Sequence, residues 1–267
     1  MADFASIIGG LEIPLDGATS EADVFYKLDS QDIFLDRLDD QGATRFDGSD
    51  NSNGFEIQSG GGSDTIVAGS GNDTIWGGNG NDSVDAAAGD NTVSGGLGND
   101  NIQSGGGNDK LYGGNGDDTL NGGDGNNRVE GGHGNDVLFA GSGNDTMLGG
   151  SGNDFINGYG GNDSLSGGSG NDTIIGDLGN DSLSGGDGTD AFFFDANFGN
   201  DVISDLGAGD QIWLASGLGV NNVSDLVPYI SGDASHTIIT IGGNSIEIQG
   251  MDKDVFTSQL STWVKIV

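Results

Sequence analysis

Gly149-Gly-Ser-Gly-Asn-Asp-Phe-Ile-Asn157 is the stretch that decides the fold, because the same nine-residue pattern recurs throughout the middle of the chain. It returns as Gly77–Asp85 and as Gly167–Ile175, and residues 59–193 divide into fifteen consecutive nonapeptides without an insertion or a deletion. The shared pattern is G-G-x-G-N-D-x-U-x, where U is an apolar residue. A fixed short period predicts a repeat architecture in which each coil packs on its neighbours.

The eighth position of every repeat is apolar. Its occupants are Ile66, Ile75, Val84, Val93, Ile102, Leu111, Leu120, Val129, Leu138, Met147, Ile156, Leu165, Ile174, Leu183 and Phe192. Chance does not produce this in a chain that is 33% hydrophobic. Positions 7 to 9 are predicted to form a three-residue strand, whose alternation turns only position 8 inward. Positions 1 to 6 are predicted to form a turn, since glycine adopts positive φ angles without strain.

Position 6 is predicted to bind metal. If two repeats make one coil, residues 18 apart stack about 4.8 Å from each other. Neighbouring carboxylates at that distance repel by about 3–4 kcal/mol at a surface-like dielectric, and a hard cation between them reverses the sign. Carboxylate and carbonyl oxygens favour calcium over zinc or copper. The first row is Asp64, Asp82, Asp100, Asp118, Asp136, Asp154, Asp172 and Asp190, and the second row is Asp73, Asn91, Asp109, Asn127, Asp145, Asp163 and Asp181. The thirteen aspartates are the predicted ligands of multiple Ca²⁺ ions.

These nonapeptides resemble the calcium-binding repeats of repeats-in-toxin (hemolysin-type) proteins, over residues 59–193. The resemblance implies calcium held between loops 18 residues apart, by position-6 aspartates and by carbonyls of the glycine loops. Asn91 and Asn127 depart from the pattern, so the calcium sites beside them are expected to be weaker or empty. The expected fold is all-β, a right-handed parallel β-roll (a β-solenoid of nonapeptides) with N- and C-terminal capping regions.

The two flanks do not share the repeat. Residues 1–58 are predicted to be an N-terminal cap or assembly region, in which Ile57 takes the eighth position of one degenerate coil. Residues 194–267 are predicted to be a β-rich cap, with a hairpin formed by His236–Ile241 and Ser245–Gln249. The Asp-x-Ile-x-Asp rhythm that begins at Asp201 resembles the C-terminal segment of type I-secreted proteins. That resemblance places an uncleaved export signal near residues 251–267.

Composition excludes several classes of partner. Acidic residues outnumber basic ones by 42 to 7, and a net charge of −35 repels DNA, RNA and anionic lipid. Cysteine is absent, which excludes disulfides and thiolate metal sites. No stretch is long enough for a membrane span, and the opening Met1-Ala-Asp-Phe4 does not match a Sec-type signal. We therefore expect cations as partners, with no nucleic acid and no membrane span.

The sequence contains no H-E-x-x-H, G-x-S-x-G or P-loop motif, so no enzyme is predicted. We expect a secreted calcium-binding structural or adhesive protein, exported by the type I secretion machinery, that folds on binding extracellular calcium. A polysaccharide-binding accessory module is the first alternative, from Trp76, Tyr112 and Leu148 at position 9. An ice-binding protein, which would need a threonine row, and a small secreted enzyme in the flanks are less favoured. A metal-free solenoid, whose aspartates only cap turns, is the remaining alternative.

Apolar residues at the outward positions 7 and 9 predict a docking surface. Val137 and Phe139 share one strand, Phe155 lies on the next coil and Ile175 on the one after. A flank, a second subunit or a ligand could cover this cluster. Lys110 and Arg128 form a basic spot on the other face. Together these features predict lateral self-association into a surface lattice or filament.

Overall fold

The computed structural model describes residues 24–27, 33–35, 42–49 and 52–267. The opening Met1–Phe4 and much of the predicted N-terminal region lie outside these described residues. The chain forms two compact units, Met1–Gly132 and His133–Val267. In both units, successive strands enter two parallel sheets in turn, which is the arrangement of a parallel β-solenoid.

In the first unit, each coil contributes one strand to each sheet, and every pairing between neighbouring coils is parallel. The strands of one sheet, in spatial order, are β1 (Val24–Lys27), β3 (Thr44–Asp47), β5 (Thr65–Val67), β7 (Ser83–Asp85), β9 (Asn101–Gln103) and β11 (Thr119–Asn121). Those of the other are β2 (Ile33–Leu35), β4 (Phe55–Gly61), β6 (Thr74–Asn79), β8 (Thr92–Leu97), β10 (Lys110–Asn115) and β12 (Arg128–His133).

The register confirms the stacking of residues 18 apart. Ile57 pairs with Ile75, and Ile75 pairs with Val93. Ile57 is fully buried, so the degenerate coil predicted before the repeats is present. Parallel pairing continues into the N-terminal region at a wider spacing, because Phe46 pairs with Ile66, 20 residues later.

The second unit carries the same two kinds of sheet. One contains β13 (Val137–Ser142), β15 (Phe155–Gly160), β17 (Thr173–Ile175), β19 (Ala191–Phe194), β21 (Gln211–Leu214) and β25 (Val264–Ile266). The other contains β14 (Thr146–Ser151), β16 (Ser164–Gly170), β18 (Ser182–Gly188), β20 (Asn200–Ile203), β24 (Asn244–Gln249), β23 (His236–Ile241) and β22 (Ile230–Gly232). Two 3₁₀ segments (Ser216–Leu218 and Val223–Tyr229) and two short helices, α1 (Lys253–Ser258) and α2 (Leu260–Trp263), complete it.

Parallel coils also continue beyond the last nonapeptide. Phe192 pairs with Ile212 and Leu183 pairs with Ile203, each across 20 residues. The predicted hairpin is confirmed, with β23 and β24 antiparallel. β25 lies within the segment predicted to carry the export signal and pairs in parallel with β21. The described residues contain no helix with the length and hydropathy needed to cross a bilayer.

The predicted inward residues form the core. All fifteen position-8 side chains are at most 2% exposed. The prediction of uniform three-residue strands is wrong, because β6, β8 and β10 run for six residues through positions 1 to 3 of the next repeat. Gly78 shows why. At a φ of 107° it remains paired with Gly60 and Gly96, so the backbone ladder continues where an ordinary residue would be strained.

Candidate metal centre

The position-6 aspartates are buried, and most of them accept a backbone N–H from the coil before. The backbone N–H of Asp64 donates to Oδ1 of Asp82 at 2.8 Å, and the N–H of Asp82 donates to Oδ1 of Asp100 at 2.8 Å. In the second unit, the N–H of Asp136 donates in the same way to Asp154, at 2.8 Å. All thirteen predicted aspartates are between 1% and 3% exposed. The structure therefore brings together, within each unit, the residues that the period predicted.

In eight of these residues the second carboxylate oxygen has no hydrogen-bond partner. A buried Oδ2 atom of this kind belongs to Asp73, Asp82, Asp100, Asp154, Asp163, Asp172, Asp181 and Asp190. Leaving a buried charged oxygen unsatisfied is unfavourable, since the group has lost its water without gaining a partner. A row of such oxygens is therefore a place where a cation stabilises the fold.

A glycine cradle lies beside these oxygens. A Cβ atom added to Gly77 would lie 2.4 Å from Oδ2 of Asp82 and 2.7 Å from the carbonyl oxygen of Gly95 on the next coil. At Gly149 the same two distances, to Asp154 and to the carbonyl of Gly167, are 2.4 and 2.5 Å. A carboxylate and a carbonyl oxygen from adjacent coils thus converge against Gly77 and against Gly149, where a side chain would not leave them room. Both are ligand types that calcium prefers.

Burial changes the acidity of the rows. Burial, together with the charges of Asp100 and Asp64, raises the pKa of Asp82 to about 7, against the hydrogen bond from the Asp64 backbone. Burial likewise raises the pKa of Asp163 to about 7 and that of Asp100 to about 6. A bound cation would favour the ionised form and displace these protons, so metal binding and deprotonation are coupled.

The donor set is oxygen only. Over the part of the chain that the structure describes, no group of three or more His, Cys, Asp or Glu side chains is arranged to hold one metal ion. A cation in either row would therefore take its ligands from stacked aspartates and from backbone carbonyls. These residues fit calcium, which accepts six to eight oxygen ligands in flexible geometry.

Two further residues, which the nine-residue period did not predict, join the rows. The N–H of Asp181 donates to Oδ1 of Asp201 at 2.8 Å, and the N–H of Asp190 donates to Oδ1 of Asp210 at 2.9 Å. Oδ2 of Asp201 is also buried without a partner, and burial raises its pKa to about 8. Oδ2 of Asp210 instead accepts the N–H of Gly207 at 2.7 Å. Asp201 is thus an additional candidate ligand, which Asn200-Asp-Val-Ile203 signals once a two-residue insertion is allowed.

The asparagines of position 5 form a second ladder, for which the sequence analysis assigned no role. The N–H of Asn99 donates to Oδ1 of Asn81 at 2.9 Å, and that of Asn171 to Asn153 at 2.8 Å. In this exposed ladder the side chain accepts from the following coil, whereas the position-6 aspartate accepts from the preceding one. Each loop is therefore linked to both of its neighbours without metal.

Two residues of the predicted apolar cluster are in contact in the second unit, and a further aromatic residue joins them. The rings of Phe139 and Phe155 lie 6.0 Å apart in an edge arrangement. Tyr159 lies 5.9 Å from Phe139, is 47% exposed and has a φ of +66°. We call Phe139, Phe155 and Tyr159 the aromatic patch. Sequence reasoning missed Tyr159 because it occupies position 2, where the pattern has glycine.

The predicted basic spot is weaker than expected. The guanidinium of Arg128 forms an ion pair with Glu130, two residues later on the same strand. Its charge is therefore largely neutralised within its own coil. Of the two charges predicted for this spot, only that of Arg128 is compensated in this way.

Comparisons with known proteins agree with this geometry. The family model of the RTX calcium-binding nonapeptide repeat matches residues 58–93, 85–120, 94–129, 112–147, 121–156, 141–174, 157–192 and 166–203. No curated protein matches the chain.

Two solved structures are similar to it. One is the extracellular lipase LipA from Serratia marcescens, with 17% identity and a TM-score of 0.30, over 60% of this chain and 40% of the lipase. The other is the AlgE6R3 subunit of the Azotobacter vinelandii mannuronan C5-epimerase, with 28% identity and a TM-score of 0.35, over 47% of this chain and 78% of the subunit. The chain thus spans less than half of the lipase.

Proposed function

The chain belongs to the RTX calcium-binding nonapeptide repeat family, and on this premise we propose that it is a secreted, non-enzymatic structural or adhesive protein whose β-roll folds when it binds extracellular calcium. The buried rows of Oδ2 atoms carry the proposal. Oδ2 of Asp82 and Oδ2 of Asp154 are removed from water, face a glycine cradle and lie near another carboxylate on the next coil. Without a cation the rows oppose folding, and with one they link the coils.

The place of folding follows from calcium supply. Extracellular calcium-binding modules work at about 10⁻⁴–10⁻³ M, far above the range of cytosolic calcium sensors. A glycine-rich chain with a net charge of −35 buries too little apolar surface to fold readily without metal. Export of an unfolded chain by a type I machinery, followed by folding outside the cell, fits both facts. The proposed signal lies in residues 251–267.

The aromatic patch supports self-association as the specific structural role of the protein. Phe139 and Phe155 are each only partly buried, and Tyr159 leaves nearly half of its surface exposed. Aromatic residues that stack on a strand face are typical of the centres of protein interfaces. A second copy of this chain is the partner that we propose, which would extend a lattice or filament sideways.

A polysaccharide-binding module is the second candidate. Trp76 is 38% exposed, and it pairs with Ser94, which in turn pairs with Tyr112. Two aromatic side chains thus lie on one face, two coils apart, and sugar rings stack on surfaces of this kind. Loss of polysaccharide retention in a Trp76→Ala variant, with folding intact, would favour this candidate over self-association.

The test is calcium-dependent folding of the full chain. Circular dichroism at pH 7.5 should show coil in EDTA and parallel β-structure at millimolar calcium. Magnesium should be much less effective, because it demands a small octahedral site and retains its water. A well-folded roll in EDTA, with a thermal midpoint that calcium does not change, would overturn the proposal.

A further inference from the structure

Within the first unit, the second row differs from the first row in the residues at position 6. It contains four loops, which end at Asp73, Asn91, Asp109 and Asn127. We propose that Asn91 and Asn127 close their loops with side-chain hydrogen bonds in place of calcium, so that the calcium of this unit is concentrated in the first row. This inference rests on the proposed function, since it assigns which loops of the roll take the metal.

The orientation of the two amides is set by the coil before each of them. Oδ1 of Asn91 accepts the backbone N–H of Asp73 at 2.9 Å, and Oδ1 of Asn127 accepts that of Asp109 at 2.9 Å. Turning either amide over would direct its NH₂ group at another N–H donor. The oxygen must therefore face the preceding coil, and the NH₂ group takes the branch of the side chain that is Oδ2 in an aspartate.

At Asn91 the NH₂ group donates to groups that a cation would otherwise use. Nδ2 lies 3.3 Å from the carbonyl oxygen of Ala86, at position 1 of its own loop, and 3.4 Å from the hydroxyl oxygen of Ser104, at position 1 of the next coil. The amide thus satisfies the Ala86 carbonyl oxygen without a metal.

At Asn127 the amide is directed still more fully into its own loop. Nδ2 donates to the carbonyl oxygen of Gly123 at 3.2 Å and to that of Gly125 at 3.3 Å. An N–H donor places partial positive charge against both oxygens. The amide therefore satisfies both carbonyl oxygens as a cation would, and a cation cannot occupy the same point.

The charges of this row also require less compensation. Asp73 and Asp109 are separated by the neutral Asn91, so their distance is two coils and their Coulomb energy is about half that of adjacent carboxylates. In the first row, by contrast, Asp82 has the carboxylates of Asp64 and Asp100 on the two adjacent coils.

The experiment counts calcium ions on the full chain by equilibrium dialysis, and follows folding by circular dichroism. The variant is Asn91→Asp with Asn127→Asp, and the matched control is Asp82→Asn with Asp118→Asn in the first row. We expect the aspartate variant to bind at least two more ions than the wild type and to need at least severalfold more calcium to fold. The control should bind fewer ions. An unchanged ion count and midpoint in the aspartate variant would overturn the inference.

A second pair of variants keeps the test decisive if the aspartate variant does not fold. Asn91→Ala with Asn127→Ala removes both amides and adds no charge. The inference predicts an unchanged ion count and a lower thermal midpoint in calcium, and a lower ion count would overturn it. Anomalous scattering from wild-type crystals should place calcium in the first row and none in the Asn91 and Asn127 loops. Calcium in the Asn91 and Asn127 loops would overturn this inference alone, whereas a wild type that binds no calcium would overturn the proposed function.

Discussion

The backbone N–H of Asp64 donates to Oδ1 of Asp82 at 2.8 Å, across the 18 residues of one coil. This bond fixes the carboxylate so that its other oxygen is buried against the glycine cradle of Gly77. One side chain thus does two things. Oδ1 links the coils in the presence or absence of metal, and on the proposed function Oδ2 makes the fold depend on a cation.

The two roles can be separated by an isosteric change. Asp82→Asn retains the Oδ1 acceptor and removes the charge, so we expect calcium affinity in the first row to fall on the order of tenfold, or about 1.4 kcal/mol. Calcium titration followed by circular dichroism measures the shift. Asp85→Asn is the matched control, since it removes the same charge from an exposed position 9. Equal shifts in both variants would show that only net charge matters.

The glycine cradle predicts that Gly77 cannot be replaced without a loss of stability. Gly77→Ala would place a methyl group 2.4 Å from Oδ2 of Asp82, so we expect a loss of about 1–3 kcal/mol in the free energy of unfolding in calcium. Gly106→Ala is the control, because a Cβ there meets no atom within 4 Å. Chemical denaturation in calcium compares the two. A fully stable Gly77→Ala variant would contradict the cradle.

Folding without metal should depend on pH with an unusual sign. The pKa of Asp82 and Asp163 rises from 3.8 to about 7 on folding, so between these values the folded state binds more protons than the unfolded state. Stability in EDTA should therefore be greatest near pH 4 and should fall as the pH rises towards 7. Circular dichroism in EDTA from pH 4 to pH 8 measures this. Stability in EDTA that does not change over that range would contradict the raised pKa of these buried carboxyl groups.

Asp201 extends the second row beyond the nonapeptides, across a 20-residue coil. Asp201→Ala should cost about 1–3 kcal/mol, because it removes the acceptor of the buried Asp181 N–H. Asp201→Asn should restore that bond and still reduce the number of calcium ions bound. Dialysis and thermal melts distinguish the two effects. Asp195→Asn, at an exposed carboxylate nearby, serves as the control.

The aromatic patch should govern particle size. Phe139→Ser with Phe155→Ser removes two of its three rings, so we expect smaller particles in calcium by light scattering, with the dichroism of the roll unchanged. Trp76→Ser is the control, because it removes an exposed ring elsewhere. If the double variant scatters like the wild type, self-association does not use this patch.

The sequence by itself determined the parts of the fold that repeat every nine residues. Ile66 and its fourteen equivalents had to be buried, because the alternation of side chains along a strand turns position 8 inward. Asp82 and its equivalents had to stack, because 18 residues make one coil. The ligand type followed as well, since aspartate and glycine carbonyls offer only oxygen. These conclusions need no coordinates, because each depends on contacts between neighbouring repeats at a constant separation.

Only the tertiary structure decided what depends on insertions or on the direction of single atoms. Asp201 joins the row through a coil of 20 residues, which breaks the period that would have revealed it. Tyr159 reaches Phe139 from a position that the pattern reserves for glycine. The amide of Asn91 faces carbonyls because its oxygen is held by Asp73. Periodicity specifies which residues are neighbours, but the hydrogen bonds that fix a side chain decide which of its atoms meets them.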